Sequence, residues 1–202
     1  MYRITAKLGR YDPKSYWEKR GKVFAKENPY SLHEYRKQEE EFVNYLNSIQ
    51  FSSVLEFGCG YGRMSKIMLE NFNLSRYVGI DISPDLVLAA KKNTGRFPSC
   101  RFENTTVQDF KSDEKFDLVF GIEVLQHIRP SELDTAVDRL VHLSNRHIIN
   151  LDVYSKNAGS MAKHNFVHDY EKAYSDHPQI SKVVTTDLTF FNQVLFHGIK
   201  AD

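Results

Sequence analysis

The fold is decided at Val54-Leu55-Glu56-Phe57-Gly58-Cys59-Gly60-Tyr61-Gly62-Arg63. Val54 to Phe57 has the length and apolar character of a short buried strand. Glycines follow at alternate positions, Gly58, Gly60 and Gly62. Met64, Ile67, Met68 and Phe72 then recur at helical spacing, so a helix is predicted to start near Gly62. Strand, glycine turn and helix bring backbone N–H groups close to a polar ligand, where side chains would block the approach or forbid positive φ. Cys59 keeps the turn small. The same glycines also suit a turn that is only tight. The dinucleotide fingerprint wants glycine at position 63, and Arg63 stands there.

Outward from this stretch the pattern is strand and helix in alternation. Further strands are predicted at Tyr77 to Ile82, Cys100 to Glu103, Phe116 to Ile122 and His147 to Tyr154. Ser83 caps a helix with Pro84 in its first turn. Pro130 or Ser131 opens another, with Leu133, Ala136, Val137, Leu140 and Val141 on one face. Strands separated by helices imply parallel pairing through right-handed crossovers, and so a three-layer α/β sandwich. After a polar stretch over 155–168 and a short helix at Asp169 to Ser175, Ile180 to Leu188 and Phe190 to Ile199 read as strands. Their short connection permits only an antiparallel hairpin. The sheet is therefore seven-stranded, mostly parallel, and ends in an antiparallel hairpin.

Before the glycine turn, Pro13 to about Lys26 is predicted helical, with Tyr16, Arg20, Val23 and Phe24 near one face and Gly21 as a weak point. Ser31 and Glu34 form a capping box for a helix that runs to about Ser48 and buries Leu32, Tyr35, Phe42, Leu46 and Ile49. Its charged stretch, Arg36 to Glu41, reads as solvated surface.

The 202 residues, 41% of them apolar, fit one globular domain. A formal net charge of +1 without a long basic run argues against a large nucleic-acid footprint. Two cysteines, Cys59 and Cys100, make neither a disulfide framework nor metal-ligand spacing. No apolar run approaches the roughly 18 residues of a membrane span, and no signal peptide is visible. A cytoplasmic enzyme is expected.

Glu56 and the three glycines together read E-x-G-x-G-x-G, which resembles the first motif of class I S-adenosylmethionine-dependent methyltransferases. Asp81 follows at the end of the second strand, 19 residues after Gly62. Ligands in open α/β sheets sit beyond the carboxyl ends of the strands, and a carboxylate there accepts both ribose hydroxyls. The resemblance places Ile82 against the adenine face. Gln108-Asp109-Phe110 matches the family position where an acid takes the adenine amine and the next side chain packs on the ring. Asp109 also suits a turn cap. Asp117, at the start of its strand, is structural. Ile122, Glu123 and Val124 fall near the methionine part, and Val124-Leu125-Gln126-His127-Ile128 resembles the following stretch of small-molecule members. The cofactor implied is S-adenosyl-L-methionine, held by Glu56, Gly58, Cys59, Gly60, Gly62, Asp81, Ile82, Gln108, Asp109, Phe110 and Ile122, with no metal.

The resemblance covers Phe51 to Tyr154, and the hairpin by pattern only. Methyl transfer asks for alignment and exclusion of water, and for a base only where the acceptor arrives protonated. His127 and Glu123 are the leading candidates for catalysis, followed by Asp152, Tyr154, His164 and His168. Arg20 or Tyr16 would close over the methionine carboxylate. No Asn/Asp-Pro-Pro-aromatic or Pro-Cys motif of DNA methylation is present. The expected partner is a small-molecule acceptor methylated on O or N; RNA or protein acceptors, or a non-catalytic cofactor-binding scaffold, are the alternatives. Residues 1–50 would form a helical cap and 155–178 a cover that chooses the substrate, in a monomer or homodimer.

Overall fold

The computed structural model describes residues 11–27, 33–153, 164–188 and 193–201. Seven strands make one sheet: β1 (Ser53–Phe57), β2 (Arg76–Asp81), β3 (Cys100–Asn104), β4 (Phe116–Ile122), β5 (Ser144–Val153), β6 (Ile180–Asp187) and β7 (Gln193–Lys200). Their order is β3-β2-β1-β4-β5-β7-β6. The first five strands are parallel, and β7 runs antiparallel to both β5 and β6. The expected α/β sandwich with a terminal hairpin is thus what the chain forms. β1, β2 and β4 are apolar almost throughout, as strands covered on both faces must be. Between β1 and β4 the strand order reverses, and the carboxyl ends diverge to open a crevice.

Among the described residues six α-helices cover the sheet: α1 (Pro13–Glu27), α2 (His33–Leu46), α3 (Arg63–Asn71), α4 (Pro84–Thr94), α5 (Leu133–Leu143) and α6 (Tyr170–Ser175). Alternate strand residues point to opposite layers. Val54, Leu118, Phe120 and Ile149 pack beneath α2, α3 and α4, against Phe42, Leu46, Met64, Met68, Val87 and Ala90. Leu55, Phe57, Val119 and Ile148 meet Ala136, Val137, Leu140 and Val141 of α5 and Tyr170 and Tyr174 of α6. Each such buried side chain contributes about 1.5–3 kcal/mol. Exposed ion pairs contribute about 0–1 kcal/mol, so the two apolar layers hold the sheet.

Caps and turns follow the sequence signals closely. Asp12 accepts from Ser15 N at 2.9 Å and so starts α1. Ser83 accepts from Leu86 N at 3.4 Å ahead of Pro84. Asp117 accepts from the N–H groups of Ser52 and Ser53, both at 2.9 Å, at the end of the sheet opposite the crevice. Partial burial alone raises its pKa; these N–H groups outweigh that and hold the carboxyl well below the usual range.

Four readings need correction. The stretch Arg36 to Glu41 is not all solvated: Gln38 is fully buried. Gly21 does not weaken α1. A Cβ there would lie 2.0 Å from Ser83 Oγ, so its absence lets α1 rest directly on α4. Val23, grouped on one face with Phe24, is 42% exposed, whereas Phe24 and the unassigned Trp17 are partly buried. β5 also begins three residues earlier than predicted, at Ser144. The Ser31 capping box lies outside the described residues. Among those residues no helix is long and apolar enough to cross a membrane.

Candidate active site

A cleft of about 770 Å³ opens at the carboxyl ends of β1, β2 and β4. Pockets of about 300–1,000 Å³ hold drug-sized ligands. Its floor is the glycine turn, where Gly58 and Gly60 take φ of 66° and 55°; against expectation Gly62, at φ 83°, does not line the cleft but lets the turn pack on Ala90 of α4. Cys59 N donates to Ile80 O at 2.9 Å and ties the turn to β2. A Cβ on Gly60 would meet no atom within 4 Å, because the space it would fill is the cleft itself. An L side chain there would strain the backbone by about 1–2 kcal/mol and also occupy ligand volume.

Asp81 closes the floor. One carboxylate oxygen accepts from Gly60 N at 2.9 Å and the other from Ser83 N at 2.8 Å. It is only 8% exposed, less open than a strand-end acid is expected to be. Burial pushes its pKa up to about 6 despite the two N–H donors. Each oxygen keeps a second lone pair, and the residue lines the cleft. Glu56 lies beneath on the α3 side, 4% exposed, accepting from Ser65 Oγ and Tyr77 OH. Burial raises it to about 7 against those hydroxyls.

Ile82, Gln108 and Asp109 all reach the cleft wall. Asp109 is also a turn cap: it accepts from Thr106 Oγ1 at 2.8 Å while its N–H donates to that oxygen at 3.1 Å. Phe110 is misplaced by the sequence reading. It is 1% exposed and packed in the core near Phe116, turned away from the cleft. A turn that caps itself at Asp109 sends the next side chain inward.

Ile122 and Glu123 form the opposite wall. Glu123 has φ 58°, the one positive φ at a non-glycine among the described residues. Such strain costs about 1–3 kcal/mol and persists only where the surroundings enforce it. Here Glu123 N donates to Leu151 O at 2.7 Å, and Oε1 accepts from Gln193 Nε2 and, at 3.3 Å, from Gln38 Nε2. Gln38 Nε2 also donates to Gln193 Oε1 at 2.6 Å, and its Oε1 accepts from Arg63 at 2.7 Å. Arg63 further pairs with Glu39 at 2.8 Å and lies 4.5 Å over the Tyr35 ring. The glycine turn, α2, β7 and the end of β4 are thereby laced together. Gln38 and Gln193 escaped the sequence reading because an amide on a charged helix face or in a strand carries no motif.

His127 sits beyond Glu123, on a 3-10 turn over Leu125–His127. Burial lowers its pKa to about 4, so the imidazole is neutral at physiological pH. Its Nδ1 donates to His164 O at 3.4 Å. Its ring lies 4.8 Å from Trp17 and 5.2 Å, stacked, from His164. Burial lowers the His164 pKa as well. Both histidines and Trp17 line the cleft.

Other candidates fall elsewhere. Asp152 is fully buried; it accepts from Gln126 N at 3.4 Å and Asn150 Nδ2 at 2.8 Å, and so supports the His127 turn from behind. His168 donates to Ile128 O at 3.0 Å and does not line the cleft. Arg20 pairs with Glu27, and Tyr16 meets His164 at 3.5 Å; neither lines the cleft. Tyr154 lies outside the described residues, as does 154–163 of the expected cover. His164 and Asn165 do face the cleft, whereas α6 packs into the core through Tyr170 and Tyr174.

A sequence-family model described as a methyltransferase domain matches residues 54–146, from β1 into β5. Over that stretch, a little under half of the chain, the protein is similar to methyltransferase domains. Similar to this chain is malonyl-(acyl-carrier protein) O-methyltransferase 1 of Ilyobacter polytropus, 36% identical over 38% of this chain and 28% of that protein. Trans-aconitate 2-methyltransferase of Enterobacter sp. is 32% identical over 38% of this chain and 29% of that protein. The matches thus span under a third of these relatives' length. The fold likeness reaches further. Magnesium protoporphyrin IX methyltransferase from Synechocystis, with bound S-adenosylmethionine, aligns with TM-score 0.72 at 17% identity, over 96% of this chain and 99% of that one. N-methyltransferase NodS from Bradyrhizobium japonicum, in complex with S-adenosylhomocysteine, aligns with TM-score 0.71 at 18% identity, over 95% and 100%. The methyltransferase family uses S-adenosylmethionine, and the space above Gly60 with the free lone pairs of Asp81 suits its nucleoside.

Proposed function

We propose that this methyltransferase domain moves a methyl group to an O or N atom of a small-molecule acceptor. The observation that carries the proposal is a single cleft whose one end is the glycine turn and Asp81 and whose other is His127, Trp17 and His164. Cofactor and acceptor would share one enclosed space, as in-line transfer requires. Bound there, S-adenosylmethionine supplies an electrophilic methyl group on a positively charged sulfur. Asp81 would hold the ribose hydroxyls, Ile82 and Asp109 would flank the adenine, and Glu123 would face the amino-acid end. His127, neutral and half-buried, would take up the proton that the acceptor gives up as the new bond forms; a proton on an oxygen gaining a third substituent, or on a nitrogen gaining a fourth, is acidic enough for a weak base.

The acceptor end favours a small molecule. Its charged residues are Asp12, Lys14, Arg129 and Glu132, two of each sign, and Arg129 is bound to Glu132 through two hydrogen bonds of 3.0 and 2.6 Å. Nucleic-acid binding instead needs several cations aimed at phosphates. The test has two steps. Calorimetry should show S-adenosylhomocysteine binding and NAD much weaker; equal NAD binding overturns the cofactor reading. Cell extract incubated with the protein and methyl-labelled cofactor should then carry label in the low-mass fraction, and label on RNA or protein overturns the acceptor reading.

A further inference from the structure

The turn that follows β4 serves both halves of the cleft. Glu123 and His127 line it, one on the wall opposite the glycine turn and the other at the acceptor end. Between them, Val124 packs directly on the glycine turn: a Cβ on Gly58 would lie 2.4 Å from Val124 Cγ2. Whatever fixes this turn therefore fixes three parts of the site against one another. Glu123 holds a φ of 58°, a conformation that a residue with a Cβ keeps only when its surroundings impose it.

The end of β5 imposes it. Leu151 O accepts from Glu123 N at 2.7 Å. The Asp152 carboxylate then accepts from the N–H groups of Val124 and, at 3.4 Å, of Gln126. Gln126 returns the tie, its Oε1 accepting from Val153 N at 3.4 Å. Asp152 is fully buried. Its hydrogen-bond partners among the described residues are all neutral: the two turn N–H groups and Asn150 Nδ2 at 2.8 Å. Burying a carboxylate without a cation is costly, and packing alone would be met by an apolar side chain. What the charge adds is a firmer hold on the turn, since a hydrogen bond to an ionised acceptor is roughly twice as strong as a neutral one.

Building on the methyltransferase reading, we propose that Asp152 is a positioning residue for methyl transfer: its carboxylate imposes the turn that sets Glu123 at the cofactor end and His127 at the acceptor end in fixed relation. Asp152 itself does not line the cleft, so it acts only through the turn. In-line transfer depends on that relation, because small misplacements of the reacting groups are expensive in rate. The charged and titratable groups that face Asp152 are Glu123, which opposes its charge, and the Tyr170 and Tyr174 hydroxyls of α6. Tyr174 joins it through Asn150, donating to Oδ1 at 2.9 Å. From β7 the facing residue is the uncharged Val194. Burial pushes the Asp152 pKa up to about 7 against its three hydrogen bonds. Below that pH the charge is lost and the hold on the turn weakens.

The test follows the His127 imidazole of the full chain by proton–carbon NMR against pH, and needs no acceptor. The signal is identified by its loss in His127→Gln. In the wild type it should be displaced with a midpoint near pH 7, although His127 itself takes up a proton only at about 4. Asp152→Asn keeps the shape and is neutral throughout, and it should remove that displacement. Glu56→Gln removes the other carboxyl raised to about 7 and should leave it. Above pH 7, S-adenosylhomocysteine should bind Asp152→Asn roughly fivefold more weakly than the wild type, through the loosened Glu123. If the wild-type signal shows no such displacement, or keeps it in Asp152→Asn, Asp152 is a core residue only and the proposal is overturned. The wild-type curve needs no variant, so a poorly folded Asp152→Asn does not shield the proposal. Failure of S-adenosylhomocysteine to bind the wild type would instead sink the methyltransferase reading, and the titration of the turn would be unaffected by it.

Discussion

The two ends of the cleft are made in different ways. The glycine-turn end is a product of backbone: positive φ at three glycines, two N–H groups on Asp81, and the carboxyl ends of neighbouring strands. The His127 end is a product of side chains, brought together from α1, the 3-10 turn and residues 164–165. Backbone geometry can be met by few residue types, so it leaves a mark in the sequence. A wall of rings can be assembled in many ways and leaves none. The first end suits a ligand that never changes, and the second a ligand that differs between relatives.

Substitutions can sharpen that contrast or break it. Gly60→Val should have the largest effect, because it adds both strain and bulk where only a ligand fits. S-adenosylhomocysteine affinity should fall by at least about 100-fold with circular dichroism unchanged; retained affinity would show that the turn does not touch the cofactor. Asp81→Asn should cost at least tenfold, about the loss of one charge-assisted hydrogen bond. The pH dependence gives the same result without mutation. The apo carboxyl titrates near 6. Protonation below that value removes the charge that attracts the ribose hydroxyls. Wild-type affinity should therefore drop about tenfold from pH 8 to pH 5, and Asp81→Asn should flatten that slope.

Gln38→Leu probes the seam between the two ends. Leucine matches the burial but takes one acceptor from Arg63, which keeps Glu39, and leaves Gln193 Oε1 without its Gln38 donor, so the urea midpoint should fall by the equivalent of about 1–3 kcal/mol. An unchanged midpoint would mean that the amide network is incidental to α2 docking. Asp109→Ala should be smallest, lowering S-adenosylhomocysteine affinity about threefold, since this exposed acid is already engaged with Thr106. A loss as large as that of Asp81→Asn would make Asp109 a principal cofactor ligand.

What was legible follows from the same physics. β1, the turn, Asp81 and β4 were found because buried parallel strands and tight turns restrict composition. Gly21 was misjudged because a glycine inside a helix reads as a propensity defect until its neighbour Ser83 is known. Phe110 was misplaced because a resemblance fixes a position along the chain and not the side to which a self-capped turn sends it. Gln38 and Trp17 could not be assigned, since their roles exist only where distant segments meet.

β7 carries a consequence for how the molecule comes into being. Within the sheet it is the last strand in sequence, yet it occupies an interior place, pairing Gln193 to Ile199 with Val153 to His147 of β5. Until it arrives, β5 presents a bare hydrogen-bonding edge flanked by Ile148, Ile149 and Leu151, all fully buried in the finished sheet. Such an edge invites pairing with another chain. A chain that has paired β1 to β5 but not yet β7 therefore carries one adhesive side, and the arrival of β7 on β5 removes it.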